Sequence, residues 1–239
     1  MRHLDLFSGI GGFALAAQWV WGKEHDIVEF VEQDKFCQQV LGQHWPTINI
    51  HNDICNYSFN GDNVDLITGG FPCQDISIAG KGVGIEGERS GLWTEFKRII
   101  GECRPKFALI ENVPALTFRG LDRVLCDLAE IGYDAEWQSI SASEVGAWHK
   151  RERIWIVAYP NISKTTRHGE NSGDISAFTK PKGLNCCGER WWATEPELGR
   201  VAHGIPNRVD RLKGLGNSIV PQVAYIIMKQ IKTLLDKLE

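Results

Sequence analysis

The stretch DLFSGIGGF, residues 5–13, indicates a strand that ends in a glycine-rich turn and is followed at once by a helix. Glycines let the backbone approach a ligand closely, and a helix N-terminus presents free N–H groups. Glu32 stands near the end of the next predicted strand, where an acidic residue can bond ribose hydroxyls. The GxGG spacing differs from the GxGxxG of dinucleotide sites. An adenosine ligand without pyrophosphate therefore fits better, although a tight turn that binds nothing explains the glycines equally well.

Strands and helices alternate through the rest of the first 159 residues. The predicted strands are residues 2–7, 26–32, 66–69, 107–111, 134–140 and 153–158, and the predicted helices are residues 13–21, 35–44, 91–103 and 121–131. This alternation predicts an α/β fold with a doubly wound, mostly parallel sheet. Regular structure then returns after Gly216, and apolar residues from Val220 onward recur every three or four positions, as in a C-terminal helix.

Composition divides the chain into three predicted parts. Residues 1–159 form a catalytic and cofactor-binding domain, and residues 211–239 form a C-terminal motif and helix that return to it. Between them, residues 160–210 are rich in Gly, Ser, Thr, Asn and Pro without a sustained period, which predicts a small irregular subdomain. The chain has a net charge of −4, but residues 160–213 are net basic, so a polyanion could bind one face.

The overall composition is that of a globular enzyme. Hydrophobic residues make up 43% and charged residues 23% of the chain, which excludes a disordered or collagen-like protein. No apolar run is long enough for a bilayer, and the N-terminus lacks the pattern of a signal peptide, so we expect a cytoplasmic protein. The 7 cysteines fit neither a disulfide framework nor a paired zinc motif, so reduced thiols and no metal are expected.

Cys73 lies in the stretch GGFPCQDIS, residues 69–77, directly after a predicted strand. That position is the carboxyl edge of the sheet, where α/β folds bind their ligands. An exposed thiolate there would be a nucleophile, whereas a free cysteine is otherwise usually a small buried apolar residue. The glycine-rich residues 77–90 that follow could close over a substrate or could be an ordinary connection.

Two further groups of polar residues stand at strand ends. Glu111 follows a buried apolar strand, and in a cleft it could donate a proton, although it could also cap a helix. Arg151 and Arg153 face the same side if the chain is extended, which suits a phosphate or a carbonyl group. A charged strand start is the alternative for the two arginines.

Together these segments resemble the DNA cytosine-5 methyltransferases of the compact bacterial or phage type. DLFSGIGGF resembles their first cofactor motif, and GGFPCQDIS resembles their nucleophile motif. ENV and HKRERIWIVA are similar to their glutamate and arginine motifs, and RLKGLGNSIVPQVA is similar to their final motif. The resemblance implies the Rossmann-like class I methyltransferase fold. Two departures are His149, where the family usually has glutamine, and a short segment at residues 160–210, where the family has its target recognition domain.

The resemblance also implies roles for individual residues. Cys73 would attack C6 of a flipped cytosine, Glu111 would bind its N3 edge, Arg153 would contact its carbonyl, and Arg151 would support the nucleophile loop or a phosphate. Trp191 and Trp192 would either take part in target recognition or form a small core. The implied S-adenosyl-L-methionine site consists of Phe7, Ser8, Gly9, Gly11, Gly12, Glu32, Gln33, Asp53, Ile54, Pro72, Asn217 and Ile219.

The expected partner is double-stranded DNA, with a cognate restriction endonuclease as a further candidate. We expect a monomer that does not interact with membranes. Two other functions share these motifs: a tRNA cytosine-5 methyltransferase, and a non-catalytic DNA-binding protein on the same scaffold. The presence of Cys73, Glu111, Arg151 and Arg153 argues against the non-catalytic alternative.

Overall fold

A computed structural model describes residues 1–61, 63–72, 91–161 and 208–238. In this part of the chain, one sheet has the strands β1 (Arg2–Leu6), β2 (Asp26–Val31), β3 (Ile50–His51), β4 (Leu66–Gly69), β5 (Phe107–Asn112), β6 (Tyr133–Ser141) and β7 (Glu152–Pro160). The helices are α1 (Gly12–Trp21), α2 (Lys35–His44), α3 (Leu92–Cys103), α4 (Leu116–Arg119), α5 (Leu121–Glu130), α6 (Arg208–Asn217) and α7 (Pro221–Leu238).

The sheet is doubly wound, as predicted. Its strand order is β3-β2-β1-β4-β5-β7-β6, and β7 runs in the direction opposite to the other six strands. The chain runs outward from β1 to β3 and then crosses back to β4, so the order reverses between β1 and β4. Ligands of open α/β sheets bind at the carboxyl ends of the strands at such a switch point. The predicted cofactor turn follows β1 there, and Gly70 follows β4.

The sheet is covered on both faces, and each face has its own apolar core. Along β7, Ile154 and Ile156 belong to the core that includes Phe96 of α3 and Leu128 of α5. Trp155 and Val157 belong to the opposite core, which contains residues of α1 and α7. Because side chains alternate along a strand, a run that is apolar at every position is buried on both faces. Each fully buried large side chain stabilises the fold by roughly 1.5–3 kcal/mol.

Three elements were not predicted from the sequence. β3 is only two residues long, and α4 is a single turn. α6 starts at Arg208, so the prediction that regular structure returns after Gly216 is wrong. This helix contains two glycines and exposes Leu212 and Leu215, and such a sequence lacks a clear apolar stripe. Its position instead depends on α2, because Gly214 packs against Phe36. No helix among the described residues has the length and apolar character needed to span a bilayer.

Asp34 is the N-cap of α2 and also connects this helix to α6. Its Oδ1 accepts hydrogen bonds from the N–H groups of Phe36 (2.9 Å) and Cys37 (3.2 Å). Its Oδ2 lies 2.6 Å from Nζ of Lys213. The carboxylate therefore satisfies two free donors of the helix start and pairs with a cation of the C-terminal region.

We predict that Asp34→Ala lowers the free energy of unfolding by about 1 kcal/mol, because the N-cap is lost. Urea denaturation measures this change. Asp34→Asn is the matched control, since asparagine is an equally good N-cap but carries no charge. Asp34→Asn should therefore retain most of the stability, and an equal loss in both variants would assign the effect to the ion pair instead of the cap.

Candidate active site

The turn after β1, residues 7–11, adopts left-handed backbone conformations. Gly9 has a φ of 54° and Gly11 has a φ of 85°, values that favour glycine, and Phe7 has a φ of 50°. The turn is held in place by Ser8, whose N–H donates to the carbonyl of Val31 (3.2 Å) and whose Oγ–H donates to the carbonyl of Asp5 (2.6 Å). The ends of β1 and β2 therefore define the shape of this turn, which is called the cofactor turn below.

Glu32 contacts the cofactor turn from the end of β2. Its Oε2 accepts the N–H of Gly9 and its Oε1 accepts the N–H of Asp34, both at 2.7 Å. Burial raises the pKa of Glu32, and these backbone hydrogen bonds oppose that rise. A carboxylate offers about four acceptor positions, so Glu32 keeps acceptor capacity for hydroxyl groups of a ligand.

A cavity at the switch point gathers residues that are far apart in sequence. It is lined by Phe7, Ser8, Gly9, Gly12, Phe13, Gly70, Glu111, Asn217, Ser218 and Ile219. A Cβ on Gly12 would lie only 2.7 Å from Cγ1 of Ile219, so glycine at this position allows the C-terminal segment to pack against the start of α1. The structure thus brings the final motif to the first motif, as the family resemblance implied.

The other predicted cofactor residues do not line this cavity. They are Gly11, Glu32, Gln33, Asp53, Ile54 and Pro72. Gly11 packs against Trp45, Ile54 is buried in the core, and Asp53 Oδ1 accepts the N–H of Cys55 at 2.9 Å. Three lining residues were missed, namely Phe13, Gly70 and Ser218. Each is adjacent to a motif glycine or asparagine, and that adjacency is the signal that could have identified it.

Glu111 lines the cavity from the end of β5. Its Oε1 is 3.0 Å from Nε of Arg153, and a Cβ on Gly70 would lie 2.7 Å from its Oε2. Burial raises the pKa of Glu111 to about 7, although the positive charges of Arg153 and Arg151 oppose that rise. A carboxyl group with this pKa can hold or release a proton near neutral pH.

Asn112, the neighbour of Glu111, fixes the segment that leads to Cys73. Its Nδ2–H donates to the carbonyl of Phe71 at 3.1 Å, and its Oδ1 accepts the N–H of Val113 at 2.8 Å. The peptide before Pro72 is therefore attached to the end of β5. Cys73 itself, residues 77–90, Trp191 and Trp192 lie outside the described residues, and their roles stay predictions.

The two arginines point to different partners, which corrects the expectation that they share one side of an extended chain. Arg151 precedes β7 with a φ of 22°, so the backbone is not extended there. Its Nη2–H donates to the carbonyl of Ser218 at 2.6 Å, whereas Arg153 contacts Glu111. Arg151 thereby holds the final motif beside the cavity. Among the described residues, no group of three His, Cys, Asp or Glu side chains is arranged to hold a metal ion.

Residues 1–186 match the family model of the C-5 cytosine-specific DNA methylases. The chain is 34% identical over 160 residues to the type II methyltransferase M.CviJI of Paramecium bursaria Chlorella virus IL3A, an alignment that covers 66% of this chain. It is also 34% identical over 188 residues to the type II methyltransferase M.DsaV of Dactylococcopsis salina, which covers 76% of this chain. The chain spans 42% and 50% of the lengths of these two relatives.

The fold also matches solved structures. A mutant DNMT2 of Spodoptera frugiperda superposes with a TM-score of 0.56 at 24% identity, covering 72% of this chain and 53% of that chain. At this level of identity the likeness shows a shared fold.

We predict that Arg153→Met raises the pKa of Glu111 above its value of about 7. The variant removes the nearest positive charge, and an opposite charge at this distance usually lowers a carboxyl pKa by about 1–3 units. Carbon-13 NMR of labelled glutamate side chains would measure the titration. Lys150→Met is the matched control, because Lys150 has a side chain that is 81% exposed on the same connection. An unchanged pKa in Arg153→Met would contradict the assigned ion pair.

Proposed function

The chain belongs to the family of C-5 cytosine-specific DNA methylases, and we propose that it transfers a methyl group from S-adenosyl-L-methionine to C5 of cytosine in double-stranded DNA. The main support for this proposal is the environment of Glu111. A carboxyl group with a pKa of about 7 lines the cavity, contacts Arg153, and is next in sequence to the residue that holds the peptide before Pro72.

The residues around the cavity fit S-adenosyl-L-methionine. Glu32, which contacts the cofactor turn from outside the lining, has free acceptor positions for ribose hydroxyls, and Phe7, which lines the cavity, has an aromatic ring on which adenine could stack. Apart from its chain neighbours, no described residue has an atom within 4 Å of the place that a Cβ on Gly9 would occupy, so a ligand could approach the backbone of the cofactor turn there. When bound, the cofactor supplies an electrophilic methyl group. Gln33, Asp53 and Ile54, which lie outside the lining, are proposed to bind the far side of the adenosine.

The protein would make C5 of cytosine reactive through Cys73 and Glu111. C5 is a poor nucleophile, but addition of the Cys73 thiolate to C6 turns it into an enamine-like carbon. During that addition negative charge accumulates on the ring. Glu111 offsets this charge by placing its proton or hydrogen bond at N3, and a pKa near 7 suits both directions of that transfer. Once C5 has taken the methyl group, which would leave the sulfur as a neutral thioether, loss of the C5 proton and departure of the Cys73 thiolate from C6 would restore the aromatic ring.

The arginines would position these groups. Arg153 holds the Glu111 carboxylate through its Nε and still has N–H donors for the carbonyl of the base. Arg151 acts at a distance from the base, since its guanidinium binds the Ser218 carbonyl and keeps the C-terminal segment against the cavity. The hydrogen bond of Arg151 would therefore serve the cofactor side and the ion pair of Arg153 the substrate side, while the charges of both arginines act on Glu111.

The carboxyl edge of the sheet offers a surface for DNA. Phe118 is 91% exposed and Trp148 is 72% exposed, and both lie on connections at this edge, where Ser141 of β6 pairs with Glu152 of β7. Lys150 adds a positive charge there. A cytosine must leave the stacked duplex before Cys73 can reach C6, so aromatic and basic side chains beside the cavity suit a flipped base and its phosphates.

The proposal also covers target recognition, closure over the base, location and a partner. Residues 160–210, with Trp191 and Trp192, would read the target sequence, and residues 77–90 would close over the flipped base. The activity would take place in the cytoplasm of a prokaryotic or phage-infected cell. A cognate restriction endonuclease is a further proposed partner, since the relatives are named type II methyltransferases.

We predict that Cys73→Ser abolishes methyl transfer, because a hydroxyl is a far weaker nucleophile than a thiolate at neutral pH. Bisulfite sequencing of DNA from cells that express the protein measures this directly. Cys126→Ser is the control, since Cys126 is an exposed free cysteine on α5. Wild type and Cys126→Ser should methylate the same cytosines, and Cys73→Ser should methylate none. Methylated DNA from Cys73→Ser, or methylation of tRNA in place of DNA by the wild type, would overturn the proposal.

We also predict that Glu32→Ala weakens binding of S-adenosyl-L-methionine by about ten- to a hundredfold. A hydrogen bond to a charged acceptor contributes roughly 1.5–3 kcal/mol. Isothermal titration calorimetry would measure the affinity without DNA. Glu24→Ala is the control, because its side chain is 76% exposed and points to Lys232. Equal affinities in wild type and Glu32→Ala would show that the ribose assignment is wrong.

A further inference from the structure

Four polar side chains are hydrogen-bonded in series through the interior as far as β1, and this series is called the hydrogen-bond chain below. Nε2 of His25 lies 2.9 Å from Nδ1 of His3, and Nε2 of His3 lies 2.7 Å from Oγ1 of Thr68. Oγ1 of Thr68 lies 2.5 Å from Oδ1 of Asp5. His3, Thr68 and Asp5 are fully buried, whereas His25 is half-buried. The hydrogen-bond chain therefore connects the surface with Asp5, two residues before the cofactor turn.

An ionised Asp5 carboxylate has few groups around it that stabilise its negative charge. Its Oδ2 is buried and has no hydrogen-bond partner among the described residues. Burial raises the pKa of Asp5 well above its ordinary value, a hydrogen bond from Thr68 opposes the rise, and the charge of Glu32 adds to it. A buried ionised carboxyl with one donor is unfavourable, so a proton on Asp5 relieves the penalty.

The hydrogen bonds of the hydrogen-bond chain can all point in either of two directions. When Asp5 is ionised, Nε2–H of His25 donates to His3, Nε2–H of His3 donates to Thr68, and the Thr68 hydroxyl donates to Asp5. When Asp5 is protonated, every hydrogen bond reverses, and His3 carries its proton on Nδ1. A proton arrives at Nδ1 of His25, and three transfers then follow along the hydrogen-bond chain: from His25 to His3, from His3 to Thr68 and from Thr68 to Asp5. Together they convert the first state into the second. The number of protons balances, and no buried water is needed.

We propose that the protonation of Asp5 depends on the charge in the cofactor cavity. Asp5 carries a proton when the cavity is empty or holds a neutral thioether, and it releases this proton along the hydrogen-bond chain when a sulfonium binds. The proposal rests on the cofactor assigned above. S-adenosyl-L-methionine and its demethylated product differ by one positive charge at sulfur. An ionised Asp5, two residues before the cofactor turn, would favour the cationic donor over the neutral product, and a protonated Asp5 would not contribute to that preference.

The position of Asp5 supports this role. The Asp5 carbonyl accepts the hydroxyl of Ser8 at 2.6 Å, and Phe7 and Ser8 line the cavity. Asp5 also interacts electrostatically with Glu32, which holds Gly9 from the other side of the same turn. A change in charge on Asp5 therefore acts on the part of the chain that surrounds the cavity.

The other ionisable groups near the hydrogen-bond chain do not account for a proton released on sulfonium binding. Burial and the neighbouring His25 keep the pKa of His3 low, and burial lowers the pKa of His25 to about 4, so both rings are neutral at pH 7. The N-terminal amino group lowers and Asp26 raises the pKa of His25. Helix α1 contains no ionisable side chain. On α7 the ionisable side chains are half-buried or exposed: Tyr225, Lys229, Lys232, Asp236 and Lys237.

Proton release on binding tests the proposal. Calorimetric titrations at about pH 8 in buffers of different ionisation enthalpy would count the protons released by S-adenosyl-L-methionine and by S-adenosyl-L-homocysteine. All variants should be made in a Glu111→Gln background, because Glu111 also lines the cavity and titrates near neutrality. We expect release with the sulfonium only. Asp5→Asn should remove this release and reduce the preference for the sulfonium by about tenfold, which corresponds to one unit of coupling.

Thr68 supplies a second, independent comparison. Thr68→Val has a similar shape but cannot donate to Asp5, so it should behave as Asp5→Asn does, whereas Thr68→Ser should restore proton release. Nitrogen-15 NMR adds a readout that a purely structural role would not change. The proton of His3 should lie on Nδ1 in the free protein and on Nε2 in the sulfonium complex.

The outcomes are distinguishable from those of the proposed function. If S-adenosyl-L-methionine does not bind to the wild type, both the cofactor assignment and this inference are wrong. If it binds and Asp5→Asn and Thr68→Val release protons as the parent does, only the role of Asp5 is wrong. If Asp5→Asn does not fold, the comparison of Thr68→Val with Thr68→Ser decides the question.

Discussion

The parallel pairing of β1 with β4 is the contact on which the site depends. Leu6 of β1 pairs with Gly69 of β4, and a Cβ on Gly69 would lie 2.6 Å from the Leu6 carbonyl oxygen. Because the two strands end side by side, the cofactor turn and the segment from Gly70 to Pro72 leave the sheet at the same place. The cavity, the hydrogen bond between Thr68 and Asp5, and the space in which the Glu111 carboxylate lies beside Gly70 all follow from this pairing.

The site concentrates buried carboxyl groups whose charged forms are disfavoured. Burial raises the pKa of Asp5, Glu32 and Glu111 alike. For Glu111 the pKa rises from 4.5 to about 7, so the folded protein binds this proton more tightly than the unfolded chain. The stability from that proton is complete below pH 4.5 and is lost as the pH rises through about 7. Such groups reduce stability under neutral conditions, and they are retained where chemistry requires them.

The C-terminal segment completes the site through a few contacts across the fold. Arg151 binds the carbonyl of Ser218, Ile219 packs on Gly12, and Lys213 pairs with Asp34 at the start of α2. These contacts join the arginine motif, the cofactor turn and the final motif. The proposed cofactor site and the proposed catalytic groups are consequently parts of one arrangement.

Elements that depend on local sequence order could be predicted without the structure. α2 and β4 have the predicted bounds, because the apolar period and a capping aspartate are encoded within a few residues. The motifs identified the family and many of the residues that line the cavity. The positions of β3 and α6, the turn at Arg151, the pKa of Glu111 and the hydrogen-bond chain from His25 to Asp5 emerge only in the folded protein. Each of these arises from burial or from contacts between residues distant in sequence, which no local pattern contains.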